Sequence, residues 1–202
     1  MKTYFWKTRA AAATVCFATA LGAVHLPAHA LNAADVAPQT ANSTTLVLNG
    51  TGVRRGTGTY LYTAKLYLEH TTTNPAEVLQ NNGAKQFRIV MLHDASATQM
   101  ADLLTEGLVA NASEDDLVNM VSEIFDLGVL LSEQGRLSAG DSFEIDSHPA
   151  AGTTLTIRSS AHSAPISQTF ANPRMFKVMM GIWLGEHPVD ANLKSALLGQ
   201  PI

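Results

Sequence analysis

Stretches rich in Thr, Val, Leu and Tyr over Thr44 to Leu48, Gly58 to Leu68 and Phe87 to Leu92 predict three strands, the first two joined by a glycine-rich turn. From Ser96 the apolar period lengthens, with Met100, Leu103, Leu104, Gly107 and Leu108 at helical spacing, and Ser96 with Gln99 forms a capping box at the start of that helix. Ser113 and Asp116 open a second helical run through Leu117, Met120, Val121, Ile124 and Leu131 that Gly135 ends. These two helices are expected to form a hairpin against the sheet. Strand composition returns over Ser142 to Asp146, Thr153 to Ser159 and Pro165 to Phe170, the first two joined by a turn at Pro149 to Gly152. Asn172-Pro173 starts a helix, apolar on most sides, that runs from Arg174 to Leu184 and stops at Gly185, and Asp190 to Leu198 makes a short last helix. Strands, helices, strands and helices in that order predict an α+β fold; a doubly wound parallel sheet would need strict alternation.

Residues 1–30 stand apart. Lys2, Lys7 and Arg9 precede an apolar stretch from Ala10 to Val24, and Ala28-His29-Ala30 offers a small-residue cleavage site, so this segment reads as a secretory signal peptide, with export to a bacterial periplasm expected. Its apolar run is short of the roughly 20 residues a bilayer demands, and no later segment predicts a span. Residues 31–43 are small or polar and read as a flexible lead-in, with the folded domain over 44–202. Cys16, the only cysteine, leaves with the leader, which excludes disulfides, thiolate nucleophiles and cysteine-bound metals from the mature chain. The whole chain carries a net charge of −4, and loss of the leader's three cations makes it more negative. With no basic block, nucleic acid is not expected as a partner.

Chemistry-bearing motifs are few. Gly50, Gly52, Gly56 and Gly58 do not fit a dinucleotide fingerprint, since Arg55 falls where its third glycine belongs, and no Walker lysine follows. His70, His93, His148, His162 and His187 include no pair at i, i+3 or i, i+4, so no metal is predicted. No cofactor and no local nucleophile signature can be read. What stands out is Arg54 beside Arg55 in the glycine-rich turn, just before a strand bearing Tyr60, Tyr62, Thr63 and Tyr67. A guanidinium beside a hydroxyl is a carboxylate clamp.

Three stretches resemble the chalcone isomerase family, in particular its bacterial exported branch. Leu48-Asn49-Gly50-Thr51-Gly52-Val53-Arg54, running on to Thr63-Ala64-Lys65-Leu66-Tyr67-Leu68, is similar to that family's glycine-rich strand and the strand after it. Met91-Leu92-His93-Asp94 with its following helix is the second, and Trp183-Leu184-Gly185-Glu186-His187-Pro188-Val189-Asp190 is the third and most specific. The resemblance implies an open-faced β-sandwich: an antiparallel sheet covered by a helical layer, with a ligand cleft between them. It also implies that the tyrosine, lysine and asparagine of the plant enzymes correspond to Met100, Leu103 and Gly107, so that chalcone isomerase chemistry is not expected and no catalytic residue is assigned. Arg54 carries over, with Tyr62 or the adjacent Thr63 as its hydroxyl partner. Fatty-acid-binding plant members hold a carboxylate with an arginine and a tyrosine, and Arg54, Tyr62, Met100 and Leu103 resemble that arrangement. The expected function is therefore non-catalytic binding of a small apolar, fatty-acid-like carboxylate. The alternatives are an isomerase or intramolecular lyase acting on another substrate, and an interaction protein with a closed cleft; no protein partner is read.

Overall fold

The computed structural model describes residues 39–41, 44–56 and 58–201, and the leader read over residues 1–30 lies outside them. Strands β1 (Gln39–Ala41), β2 (Thr44–Arg55), β3 (Tyr60–Leu68), β4 (Lys85–Met91), β7 (Ser142–His148), β8 (Gly152–Arg158) and β9 (Ile166–Phe170) form one antiparallel sheet in the order β1-β2-β3-β4-β7-β8-β9. Between β4 and β7 the chain leaves the sheet. The two-residue strands β5 (Ala95–Ser96) and β6 (Arg136–Leu137) pair with each other and close the base of an excursion holding α2 (Ala97–Asn111), α3 (Glu114–Asn119) and α4 (Val121–Ser132). Helix α1 (Pro75–Gln80) links β3 to β4, and α5 (Met175–Leu184) and α6 (Ala191–Leu197) follow β9. The fold is α+β, a single open sheet with helices on one face.

Alternation along each strand explains which face they cover. Tyr62, Ala64, Leu66 and Leu68 on β3, Phe87, Ile89 and Met91 on β4, and Phe143 and Ile145 on β7 are all buried in one core. The intervening residues make a polar outer face, where Thr154 meets Thr169 and Thr156 meets Ser167 at 2.9 Å and Arg158 pairs with Glu144. Helix α5 lies over the inner face, with every residue buried except Lys177, which is why its sequence lacks a polar side.

Two local expectations are corrected, the glycine-rich turn and the single second helix. The glycine-rich stretch read as a turn is strand: β2 runs to Arg55, and only beyond it does Gly56 N donate to Thr59 O at 2.8 Å. Gly50 and Gly52 serve packing instead, because a Cβ on Gly50 would overlap the carbonyl oxygens of Ala196 and Leu197, and one on Gly52 would sit 2.8 Å from Ala196 Cβ and Leu193 Cδ1. Helix α6 thus lies directly on the β2 backbone. The lead-in read over residues 31–43 contains β1, which pairs Gln39, Thr40 and Ala41 with Leu46, Thr45 and Thr44. The second helical run is two helices, broken at Met120, whose backbone leaves helical geometry (φ −123°, ψ 18°) as its side chain enters the core. Helix α1, capped by Asn74 and opened by Pro75, has a start signal that the strand pattern around it obscures.

The capping box at α2 is present as expected: Ser96 Oγ accepts from Gln99 N at 3.1 Å, and Gln99 Oε1 accepts from Ser96 N at 2.9 Å. At its other end α2 is pinned to α5. A Cβ on Gly107 would lie 2.7 Å from Ile182 Cγ2, so the Ile182 side chain of α5 packs directly on the α2 backbone there. Asn111 then donates to His187 O at 2.8 Å and accepts from His187 N at 2.9 Å. The N-terminal half of α2, which carries Met100 and Leu103, roofs the space above β3 and β4.

Candidate functional site

Register brings the two principal residues together. In the β2–β3 pair Arg54 stands directly opposite Tyr62, and directly opposed residues share a face. That face is the inner one, so both side chains point under α2 and α5. Thr63 pairs with Val53 and Val90 and therefore faces the outer side. The structure brings Arg54, Tyr62, Met100 and Leu103 around one cavity, and Thr63 lines no part of it.

Tyr62 is 4% exposed, and Trp183 Nε1 donates to its hydroxyl oxygen at 2.9 Å. The indole is held by Phe87, whose ring centroid lies 4.6 Å away. An indole nitrogen only donates, so the Tyr62 oxygen is the acceptor here and its own O–H remains to donate elsewhere. No described residue accepts it. Burial pushes the Tyr62 pKa up to about 12, outweighing the opposing effects of the Trp183 hydrogen bond and the nearby Arg54 charge. At neutral pH this phenol is a hydrogen-bond donor and not a base.

Arg54 uses one nitrogen. Its Nη1 donates to Arg55 O at 2.7 Å and lies 3.4 Å from Asp190 Oδ2. Charge-assisted pairs of this kind close to about 2.8 Å when well formed, so the second contact is loose. Nε and Nη2 have no protein partner among the described residues. Asp190 is anchored more firmly by its own helix, accepting from Asn192 N and Leu193 N as the N-cap of α6. Burial would raise its pKa, but the backbone N–H groups of Leu193 and Arg55 and the Arg54 charge together hold the carboxyl below its usual range.

Three spaces meet at Met100. One of about 280 Å³ opens at the mouth between β3 and α2, floored by Tyr62 and Met91, roofed by Met100 and rimmed by Asp94, Asp102 and Glu106. Behind it a void of about 20 Å³ lies between Arg54, Tyr62, Leu103 and Trp183. A third, of about 30 Å³, is wholly apolar and reaches inward to Leu127, Leu131 and Met179. Met100, 7% exposed, lines all three and divides them. Among the described residues no cluster of His, Cys, Asp or Glu could hold a metal, and no helix is long and apolar enough to cross a membrane.

Residues that the sequence reading left without a role complete this end of the molecule. Asn49 donates to Leu197 O at 2.8 Å and accepts from Thr72 N at 2.7 Å, fixing α6 to the sheet. Gly185 leaves room for the Asn111 side chain, and Trp183 and Asp190 supply the partners of Tyr62 and Arg54. The quoted tail motif therefore builds the back wall of the cavity. A signal for Asp190 was present, as a helix N-cap; its approach to Arg54 could be known only from the docking of α6.

The comparisons agree with this architecture. No curated protein matches the sequence. Among solved structures, a fatty-acid binding protein from Arabidopsis thaliana superposes with a TM-score of 0.55 at 11% identity, over 80% of this chain and 90% of that one, which shows a common fold. The model of the chalcone isomerase-like family matches residues 30–199. With that match spanning most of its length, and a sheet, helical roof and tail motif arranged as described, the chain belongs to the chalcone isomerase-like family.

Proposed function

We propose that the protein binds a small apolar acid, fatty-acid-like in chemistry, in the cleft under α2, without transforming it, and that it does so after export to the periplasm. The observation that carries the reading is that Arg54, whose Nε and Nη2 have no protein acceptor described, and the buried Tyr62, whose O–H has none either, border one small void. A buried donor such as the Tyr62 O–H costs about 1–3 kcal/mol when it lacks an acceptor, which a ligand carboxylate would remove. The name of the Arabidopsis neighbour agrees with this chemistry. The acyl chain would run past Met100 into the apolar space toward Leu127 and Met179. Methionine, unbranched and flexible, can turn aside to admit it.

The same geometry argues against an isomerase. Gly107 sits against Ile182 where no polar side chain fits, Met100 and Leu103 cannot move a proton, and Tyr62 keeps its proton far above neutral pH. A fluorescent fatty-acid displacement titration tests the reading: micromolar competition by dodecanoate, lost in Arg54→Ala and in Tyr62→Phe, is expected. Competition that survives both substitutions would remove Arg54 and Tyr62 from the site.

An interaction role has one observation in its favour. Val118, Val121 and Phe125 are each about two-thirds exposed on α3 and α4, and residues 97–135 contain eight carboxylates and no Lys or Arg. Such a surface suits a basic, apolar partner.

A further inference from the structure

A space larger than the cleft lies elsewhere on the described surface. It is a hollow of about 350 Å³ toward the other end of the same sheet face, between α1, the β7–β8 turn and the start of α5. Alternation along β4 places Lys85 on the inner face with Phe87, Ile89 and Met91, and Lys85 stands opposite Leu68 on one side and Ser147 on the other. Six residues separate it from Met91, which is opposite Tyr62, so the hollow lies about 20 Å along the strand from the Arg54 cavity.

Lys85 is an inward-facing cation, 5% exposed. Its ammonium donates to Asn81 O and lies 5.0 Å from the centroid of the Phe176 ring. Glu69 is held by Ala84 N at 2.7 Å and makes no ion pair with it within 4 Å; it lines an adjoining hollow of about 130 Å³ on the other side of Lys85 and Asn81, which border both spaces. An ammonium has three N–H groups, so two are left without a described acceptor. Burial lowers the Lys85 pKa in spite of Glu69, which shows that the pocket does not compensate this charge fully.

The rest of the hollow has matching chemistry. Lys177 and His148 also line it, and in a chain of net charge −4 no Asp or Glu does. Lys177 is only loosely tied elsewhere, with its ammonium 3.6 Å from Asp116. Leu79, Pro149, Pro173 and Phe176 supply apolar walls. The size is at the lower end of small-molecule sites, and the lining is more polar than most, which suits a small charged ligand with one apolar side.

We propose that this hollow is a second binding site, for a small organic carboxylate whose oxygens meet Lys85 and Lys177 and whose apolar body lies against Phe176. It is independent of the Arg54 cleft. Benzoate is the probe, titrated into the folded protein by calorimetry and followed by amide chemical shifts. Saturable binding with shifts centred on β4, the β7–β8 turn and α5 is expected, about tenfold weaker in Lys85→Met and weaker also in Lys177→Ala, which is exposed and cannot disturb the core. Arg54→Ala is expected to leave benzoate binding unchanged while abolishing dodecanoate binding, so the two sites fail separately. Should Lys85→Met not fold, protection of Lys85 from acetylation by benzoate in the unmodified protein gives the same reading. Absence of saturation, equal displacement by inorganic phosphate, unchanged binding in both lysine variants, or loss in Arg54→Ala would each overturn the proposal.

Discussion

Met100→Ala is the substitution whose consequences the cleft geometry fixes most tightly. Met100 is buried and is the single side chain common to the 280, 20 and 30 Å³ spaces, so truncation merges them into one continuous channel from the mouth to Leu127. Removing a buried methionine side chain costs about 2–5 kcal/mol, and the cost rises where the surroundings cannot collapse. Here the roof is fixed at one end by the Gly107–Ile182 contact and the paired Asn111–His187 hydrogen bonds, and at the other by the capping box at Ser96. We therefore place the loss at about 3 kcal/mol, read from urea unfolding. Binding should move the opposite way. In the parent an acyl chain must first turn Met100 aside, at a cost of about 1 kcal/mol for a displaced rotamer, and the variant is spared this. Dodecanoate should bind about fivefold more tightly to Met100→Ala, while Met100→Trp, which refills the junction, should not bind it. Weaker or unchanged dodecanoate binding in a folded Met100→Ala protein would refute the placement of the acyl chain.

Gly50→Ala should destabilise by about 3 kcal/mol in the same assay, because the new methyl meets backbone carbonyls of α6 that cannot rotate away. Asp190→Asn keeps the N-cap, since asparagine caps as well as aspartate, but removes the charge that competes for Arg54; unfolding should shift by less than about 1 kcal/mol and dodecanoate should bind more tightly. Tyr62 keeps its proton to about 12 when folded and loses it near 10 when unfolded, so its contribution is fully present below pH 10 and is lost as pH rises from 10 toward 12, by about 2–3 kcal/mol. Urea midpoints across that window should fall less in Tyr62→Phe than in the parent. Lys85 has the opposite sign of dependence: with its folded pKa below 10.5, stability attributable to it rises with pH up to that value, and Lys85→Met should flatten that rise.

The elements of this fold were legible where periodicity is strong and caps are chemical. The capping box at Ser96, the helix start after Asn172 and the tight β7–β8 turn, where Gly152 takes φ +85°, all follow from residue type. The β2 glycines were misread because glycine signals both a turn and a close approach, and only the position of α6, far along the chain, decides between them. The break at Met120 carries no Gly or Pro that would announce it, and it coincides with full burial of that methionine. At the site, strand alternation left either of two neighbouring hydroxyls opposite Arg54, and the register puts Tyr62 there and Thr63 on the outer face. Lys85 lay outside the strand read over Phe87 to Leu92; the strand starts at Lys85, which puts this cation in line with Phe87, Ile89 and Met91, and its burial depends on α5 and the β7–β8 turn.

Native mass spectrometry of the protein purified from periplasm, beside Arg54→Ala, tests the central claim most directly. The account predicts a co-purifying acyl-sized mass in the parent, dissociable and absent from the variant. A parent that is empty and takes up no added dodecanoate would contradict the carboxylate clamp at Arg54 and Tyr62.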